Sequence, residues 1–121
     1  MKMLPLFIAA IVGLSAFPAL RADISVPPNY QQLKFEAKMV KGKKTWLPAV
    51  AKVRKNGGVE ITLINSLPEP HGFYIKDFTE QIIVNPKETK TIAPFVPKTK
   101  GKYPIKCQLH EAHVGATLVV E

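Results

Sequence analysis

Lys106-Cys107-Gln108-Leu109-His110-Glu111-Ala112-His113-Val114-Gly115 is the stretch on which the reading of this chain turns. It holds the single cysteine of the protein and two of its three histidines. The residues leading into it alternate, so that Tyr103, Ile105 and Cys107 fall on one face of a half-buried strand. The third histidine, His71, opens another such run and shares its parity with the apolar Phe73 and Ile75. One strand ends at Cys107 and one begins at His71, and both point these side chains inward. They can meet at one pole of a β-sandwich. The loop beyond Cys107 then returns His110 and His113 to the same place. We therefore expect His71, Cys107, His110 and His113 to surround one metal ion. Thiolate and imidazole donors suit copper or zinc, whereas a hard cation such as calcium requires oxygen donors. Spacing alone leaves zinc with a Cys-His₃ set open beside copper.

The rest of the chain supplies the sandwich. Eleven prolines and the lack of any long 3.6-residue periodicity argue against helices. Short alternating runs separated by turn residues recur instead. Gln31 to Val40 places Leu33, Phe35, Ala37 and Met39 on one face, and Lys41-Gly42-Lys43-Lys44 turns the chain. Trp46 begins a second segment that runs through Ala51 and Val53 to the Asn56-Gly57-Gly58 turn. Val59 to Asn65 follows, then a proline-flanked loop from Ser66 to Pro70 that delivers His71. Gln81–Val84, Thr89–Ala93, Tyr103–Cys107 and Thr117–Glu121 are further strand candidates. The expected fold is an all-β Greek-key sandwich or barrel of roughly seven or eight strands.

Residues 1–22 are expected to lie outside that domain. Lys2, the apolar run from Leu4 to Leu20 and the closing Arg21-Ala22 read as a secretory signal, with Ala22–Asp23 as the junction. Pro5, Gly13 and Pro18 interrupt the run, and it is short for crossing about 30 Å of hydrocarbon. The remaining domain, residues 23–121, would be periplasmic or secreted, with no stable membrane insertion once the signal is cut. A lone cysteine in an oxidising compartment is prone to mispairing unless a ligand occupies it, and ligation also contributes folding free energy.

The formal net charge is +8, spread over three basic clusters: Lys41, Lys43 and Lys44; Lys52, Arg54 and Lys55; and Lys98, Lys100 and Lys102. None interleaves aromatics on a basic face, so no nucleic-acid partner is expected. Protected strand edges and long-range steering towards an acidic protein partner both account for the lysines. Nucleophilic catalysis by Cys107 would need an orienting third group and a cleft, and neither is evident. An electron carrier is expected rather than an enzyme.

These residues also carry a family resemblance. Trp46-x-Pro48, the strand ending at Asn65, His71-Gly72-Phe73 and Gly101-x-Tyr103 running into Cys107-x-x-His110 together resemble the cupredoxins, the small blue-copper fold. The likeness covers essentially all of residues 23–121. It implies one copper ion cycling between Cu(II) and Cu(I), held in plane by His71, Cys107 and His110, and a redox partner protein. In that family a methionine normally follows as a weak axial ligand. Here no methionine occurs after Met39, and His113 fills the slot in a Cys-x-x-His-x-x-His-x-Gly pattern. A nitrogen donor there would favour Cu(II) and lower the potential.

Within the family the chain is most similar to nitrosocyanin-like red copper proteins. The likeness lies in Cys107-Gln108-Leu109-His110, in the later loop histidine and in Gly115-Ala116-Thr117-Leu118. It departs from them in a shorter loop and in having His71 where they carry a glutamate ligand. Glu69 stands two residues away, beyond Pro70. That likeness implies, as alternatives to electron shuttling, binding of a small ligand such as nitric oxide or redox catalysis. Copper carriage is a third alternative.

Overall fold

The computed structural model describes residues 30–121, so the expected signal at 1–22 and its junction at Ala22–Asp23 lie outside the described residues. Within them the chain forms nine strands and no α-helix: β1 Gln31–Val40, β2 Lys43–Leu47, β3 Val50–Val53, β4 Val59–Asn65, β5 His71–Ile75, β6 Ile82–Val84, β7 Thr89–Thr91, β8 Gly101–Lys106 and β9 Ala116–Val120. They make two mixed sheets, ordered β2-β1-β4-β7 and β3-β9-β8-β5-β6. The pairs β1·β4 and β3·β9 are parallel and the others antiparallel.

The expected all-β sandwich is thus present, with one strand more than the sequence pattern suggests. The extra strand comes from the segment opened by Trp46. Pro48 has no N–H for the ladder, and the chain breaks at Pro48-Ala49. β2 stays on β1, with Trp46 opposite Ala37, while β3 crosses to pair with β9, with Ala51 opposite Leu118. One segment therefore serves two sheets, and its buried residues shift parity across the break, from Trp46 to Ala51 and Val53.

The core lies between the sheets. β4 contributes Val59, Ile61 and Leu63; β1 contributes Phe35 and Ala37; Trp46, Phe73, Ile75, Ile105 and Leu118 close it. Each such large apolar side chain adds about 1.5–3 kcal/mol on burial. The Phe73 ring sits 5.5 Å from Phe35 and 5.2 Å from Trp46, edge-on to the indole. Met39 departs from the expected pattern and is exposed. It lies opposite Lys44, where the β1–β2 hairpin projects beyond the sandwich to a turn at Lys41-Gly42 with φ of 51° and 78°.

The antiparallel register of β5 and β8, with Tyr74 opposite Lys106 and Ile75 opposite Ile105, sets the start of β5 beside the end of β8. This brings His71 and Cys107 to one pole.

Candidate metal centre

Asn65 builds the first half of the pole. Its fully buried amide donates from Nδ2 to the carbonyls of Glu69 (2.8 Å) and Val84 (3.0 Å), and its Oδ1 accepts from Leu67 N (2.9 Å). These three bonds pin the loop 66–70 against β6. The loop therefore delivers His71 to the first position of β5 with its side chain inside, 0% exposed. The parity expectation for His71 holds.

The second half is the loop after β8. The Gly72 N–H points at Cys107 Sγ from 3.2 Å, and His110 Nδ1 lies 3.7 Å from the same sulfur. His113 N donates to His110 O at 3.1 Å, which tightens the loop into a turn. Val114 then pairs with β2: its N–H donates to Lys44 O (2.8 Å) and its carbonyl accepts from Trp46 N (3.1 Å). The Trp46 indole N–H reaches back to Gly72 O at 2.8 Å, and its ring centroid lies 5.8 Å from that of His113. Tryptophan therefore braces both halves. At the exit, a Cβ on Gly115 would overlap the Ile105 carbonyl oxygen, so only glycine lets the loop cross β8 this closely.

Donor atoms of His71, Cys107 and His113 all lie within 4.8 Å of one another. His110 falls outside that trio. It joins a second one with Glu69 and His71, its atoms also within 4.8 Å of each other. The four side chains expected from the sequence are thus gathered at one place, in two overlapping groups that share His71. The imidazole of His71 lies 4.9 Å from that of His110 and 4.8 Å from that of His113, between ring centroids.

The protonation chemistry fits a metal. Neither ring nitrogen of His71 has a hydrogen-bond partner, and nor does Nε2 of His113. A buried polar atom left unpaired costs about 1–3 kcal/mol, so these nitrogens need a ligand to be explained. Burial, reinforced by His113, His110 and Lys44, pushes the pKa of His71 down to about 4. His113 is also lowered, chiefly by burial and then by His110 and Lys44, against the opposing hydrogen bond to Val114. Near neutral pH both rings are uncharged and offer a lone pair. His113 Nδ1 lies 3.0 Å from the Val114 carbonyl, which can only accept. The proton is therefore assigned to Nδ1 and the lone pair to the buried Nε2, the arrangement by which an outer hydrogen bond orients a metal-binding imidazole.

Two participants escaped the sequence reading. Glu69, set aside there because a proline separates it from His71, places its Oε2 3.9 Å from Nε2 of both His71 and His110. Lys44 Nζ forms an ion pair with the same carboxylate. No local pattern signals either residue; the β2–loop pairing and the Asn65 clamp bring them together.

Comparison with known proteins agrees with the fold. A family model described as a cupredoxin-like domain matches residues 6–120. No curated protein matches the chain. Among solved structures, the metal-binding domain of the Cu(I)-exporting P-type ATPase CopA of Streptococcus pneumoniae D39, solved with Cu(I), superposes with a TM-score of 0.65 at 19% identity, over 80% of this chain and 91% of that one. Copper nitrite reductase from Nitrosomonas europaea gives 0.65 at 18% identity, over 77% of this chain and 42% of the enzyme. Dithionite-reduced auracyanin from Roseiflexus castenholzii gives 0.59 at 14% identity, over 77% and 99%. At these identities the likeness is one of fold.

Proposed function

The chain belongs to the cupredoxin-like domain family, and from that premise we propose that it is an exported, periplasmic or secreted, single-electron carrier that holds one copper ion through His71, Cys107, His110 and His113. One observation carries the reading: the buried, unpaired nitrogens of His71 and His113 stand beside the only thiol in the protein. Structural neighbours that include a domain solved with Cu(I) and a copper nitrite reductase support copper over zinc. Copper, when bound, supplies a one-electron couple between Cu(II) and Cu(I). The apolar run at Leu4 to Leu20 supports export.

The protein's own groups have distinct tasks in this reading. Cys107 supplies the thiolate, and the Gly72 N–H, 3.2 Å away, draws electron density from the sulfur and so tunes the potential. His71 is fully buried and follows a loop held by the Asn65 clamp, which would limit its movement between oxidation states. His110, about one third exposed, is the donor nearest solvent and the edge through which an electron would pass. Lys41, Lys43 and Lys44 on the adjoining hairpin would steer an acidic redox partner towards it. His113, in place of the usual thioether, would add a nitrogen donor, which would lower the potential.

Titration of the apo-protein with Cu(II) tests the scheme. It should produce an intense thiolate-to-copper absorption that Cys107→Ala abolishes; a band that survives the substitution rejects the ligand set. His113→Met should shift the spectrum towards ordinary blue copper.

A second reading, a nitrosocyanin-like red-copper site that binds a small ligand such as nitric oxide, is favoured by a groove. Cys107 and His113 both line a surface groove with Pro104, Lys106 and Glu111. Perturbation of the Cu(II) spectrum by azide or nitric oxide would support this reading, and insensitivity to both would support the electron carrier.

A further inference from the structure

The two donor groups that share His71 differ in exposure and in chemistry. The trio of His71, Cys107 and His113 is largely buried and contains the thiol. The trio of Glu69, His71 and His110 contains a carboxylate, and the side chains of Glu69 and His110 are 36% and 33% exposed. His110 faces both ways: its Nδ1 lies 3.7 Å from Cys107 Sγ, while its Nε2 lies 3.9 Å from Glu69 Oε2. His71 also reaches Glu69, from Nε2 at 3.9 Å, and neither of its buried nitrogens has a partner. One donor group therefore stands in front of the other, on the solvent side.

We propose that Glu69, His110 and His71 form an entry position that captures hydrated Cu(II) before it passes to Cys107 and His113. The inference rests on the copper reading above and adds the route by which the ion arrives and the oxidation state in which it does so. A carboxylate with two imidazoles suits Cu(II), a borderline cation; Cu(I) prefers the soft sulfur behind.

Electrostatics gives Glu69 a reason to be there. Without Lys2 and Arg21 of the expected signal, 15 basic residues stand against 9 acidic ones, a formal +6, and Lys43 and Lys44 line, with Glu111, the groove that leads to His110 and His113. The excess of positive charge opposes a free cation approaching that groove. Glu69 supplies negative charge beside the partly exposed His110, with its Oε2 also 3.9 Å from Nε2 of the buried His71.

In the structure the carboxylate is engaged by Lys44, whose side chain is 38% exposed. Such partly exposed ion pairs are weak, so an arriving cation displaces Lys44 readily. Lys44 thereby acts as a latch that neutralises Glu69 until a metal competes for it. No new covalent bond or electron transfer is required. Metal–ligand bonds exchange, and the thiol proton of Cys107 leaves to solvent as the sulfur binds.

Stopped-flow mixing of the apo-protein with Cu(II), followed at the thiolate-to-copper absorption, tests the entry position. Glu69→Gln should slow the appearance of the band about tenfold while leaving the final spectrum unchanged. Lys44→Met should speed it by up to about fivefold. Glu111→Gln removes the same charge from the loop without touching the trio and should leave the rate as it is. Delivery as Cu(I) from a bicinchoninate complex, followed at the loss of that complex's own visible absorption, should be indifferent to Glu69→Gln. In Cys107→Ala, electron-spin resonance should still detect a weakly held Cu(II) with nitrogen and oxygen donors, lost on adding Glu69→Gln. An unchanged uptake rate in Glu69→Gln would overturn the entry position while leaving the copper reading intact. An altered final spectrum would make Glu69 a resident ligand and overturn it equally. Equal slowing by Glu111→Gln would reduce the effect to general charge.

Discussion

The two poles of the sandwich solve opposite problems. At the far pole Phe78 stacks on Phe95 with ring centroids 4.9 Å apart and tilts against Tyr103 at 4.6 Å. The one polar group of that cluster, the Tyr103 hydroxyl, donates to Thr99 O at 2.6 Å. At the near pole Trp46 and Phe73 form an equally aromatic floor, yet both ring nitrogens of His71 and Nε2 of His113 above it are left unpaired. The same sheets and the same kind of packing thus end in a satisfied cap at one pole and an unsatisfied one at the other. The difference marks the near pole as the place where a bound ligand would remove a deficit present in the apo-protein.

That contrast can be tested by experiments of decreasing expected size. Copper at about a thousandfold over its dissociation constant should stabilise the protein by roughly 4 kcal/mol, read as a rise in the unfolding midpoint. Cys107→Ala should lose most of that gain without changing the apo midpoint. If copper fails to stabilise, the near pole is not a binding site and the contrast collapses.

Acid should weaken the apo-protein through the near pole. The folded-state pKa of His71 lies at about 4, below its ordinary value of 6.5. Between those values the unfolded chain binds more protons, so stability falls as pH drops through that window. Below it there is no further loss from this group. The lowered His113 acts in the same direction. The contribution of His71 is at most about 3 kcal/mol, and His71→Gln should flatten the apo stability profile from pH 6.5 to 4. A slope that persists unchanged would assign it to other groups.

At the far pole, Phe78→Ala should cost about 2 kcal/mol in apo and loaded protein alike, with no change in the copper spectrum. A spectral change would mean that the poles are mechanically coupled. The smallest effect is expected from Tyr103→Phe, which removes the bond to Thr99 O and should cost about 1 kcal/mol by urea unfolding.

Much of this was legible in the chain because strands write their facing into alternate residues. His71, Phe73 and Ile75 show it, as do Val59, Ile61 and Leu63. Two features were not legible, for different reasons. The split of the Trp46 segment into β2 and β3 falls where the buried set shifts parity, from Trp46 to Ala51 and Val53, but which sheet each half joins is decided only by pairing with β1 and β9. Met39 kept the inward parity of β1 but lies on a hairpin that outruns the sandwich, so there is no core for it to face.

By itself the sequence determined the fold class, the pole and the identity of the four side chains gathered there, since each follows from local periodicity and residue chemistry. Tertiary structure alone decided how they divide. His113 packs on Trp46 beside the thiol, while His110 turns its outer nitrogen to Glu69, and Lys44 closes over that carboxylate. Those relations join β2, the loop before β5 and the loop after β8. Their spacing is set by strand register and by the Asn65 clamp, and neither leaves a trace in the residues it brings together.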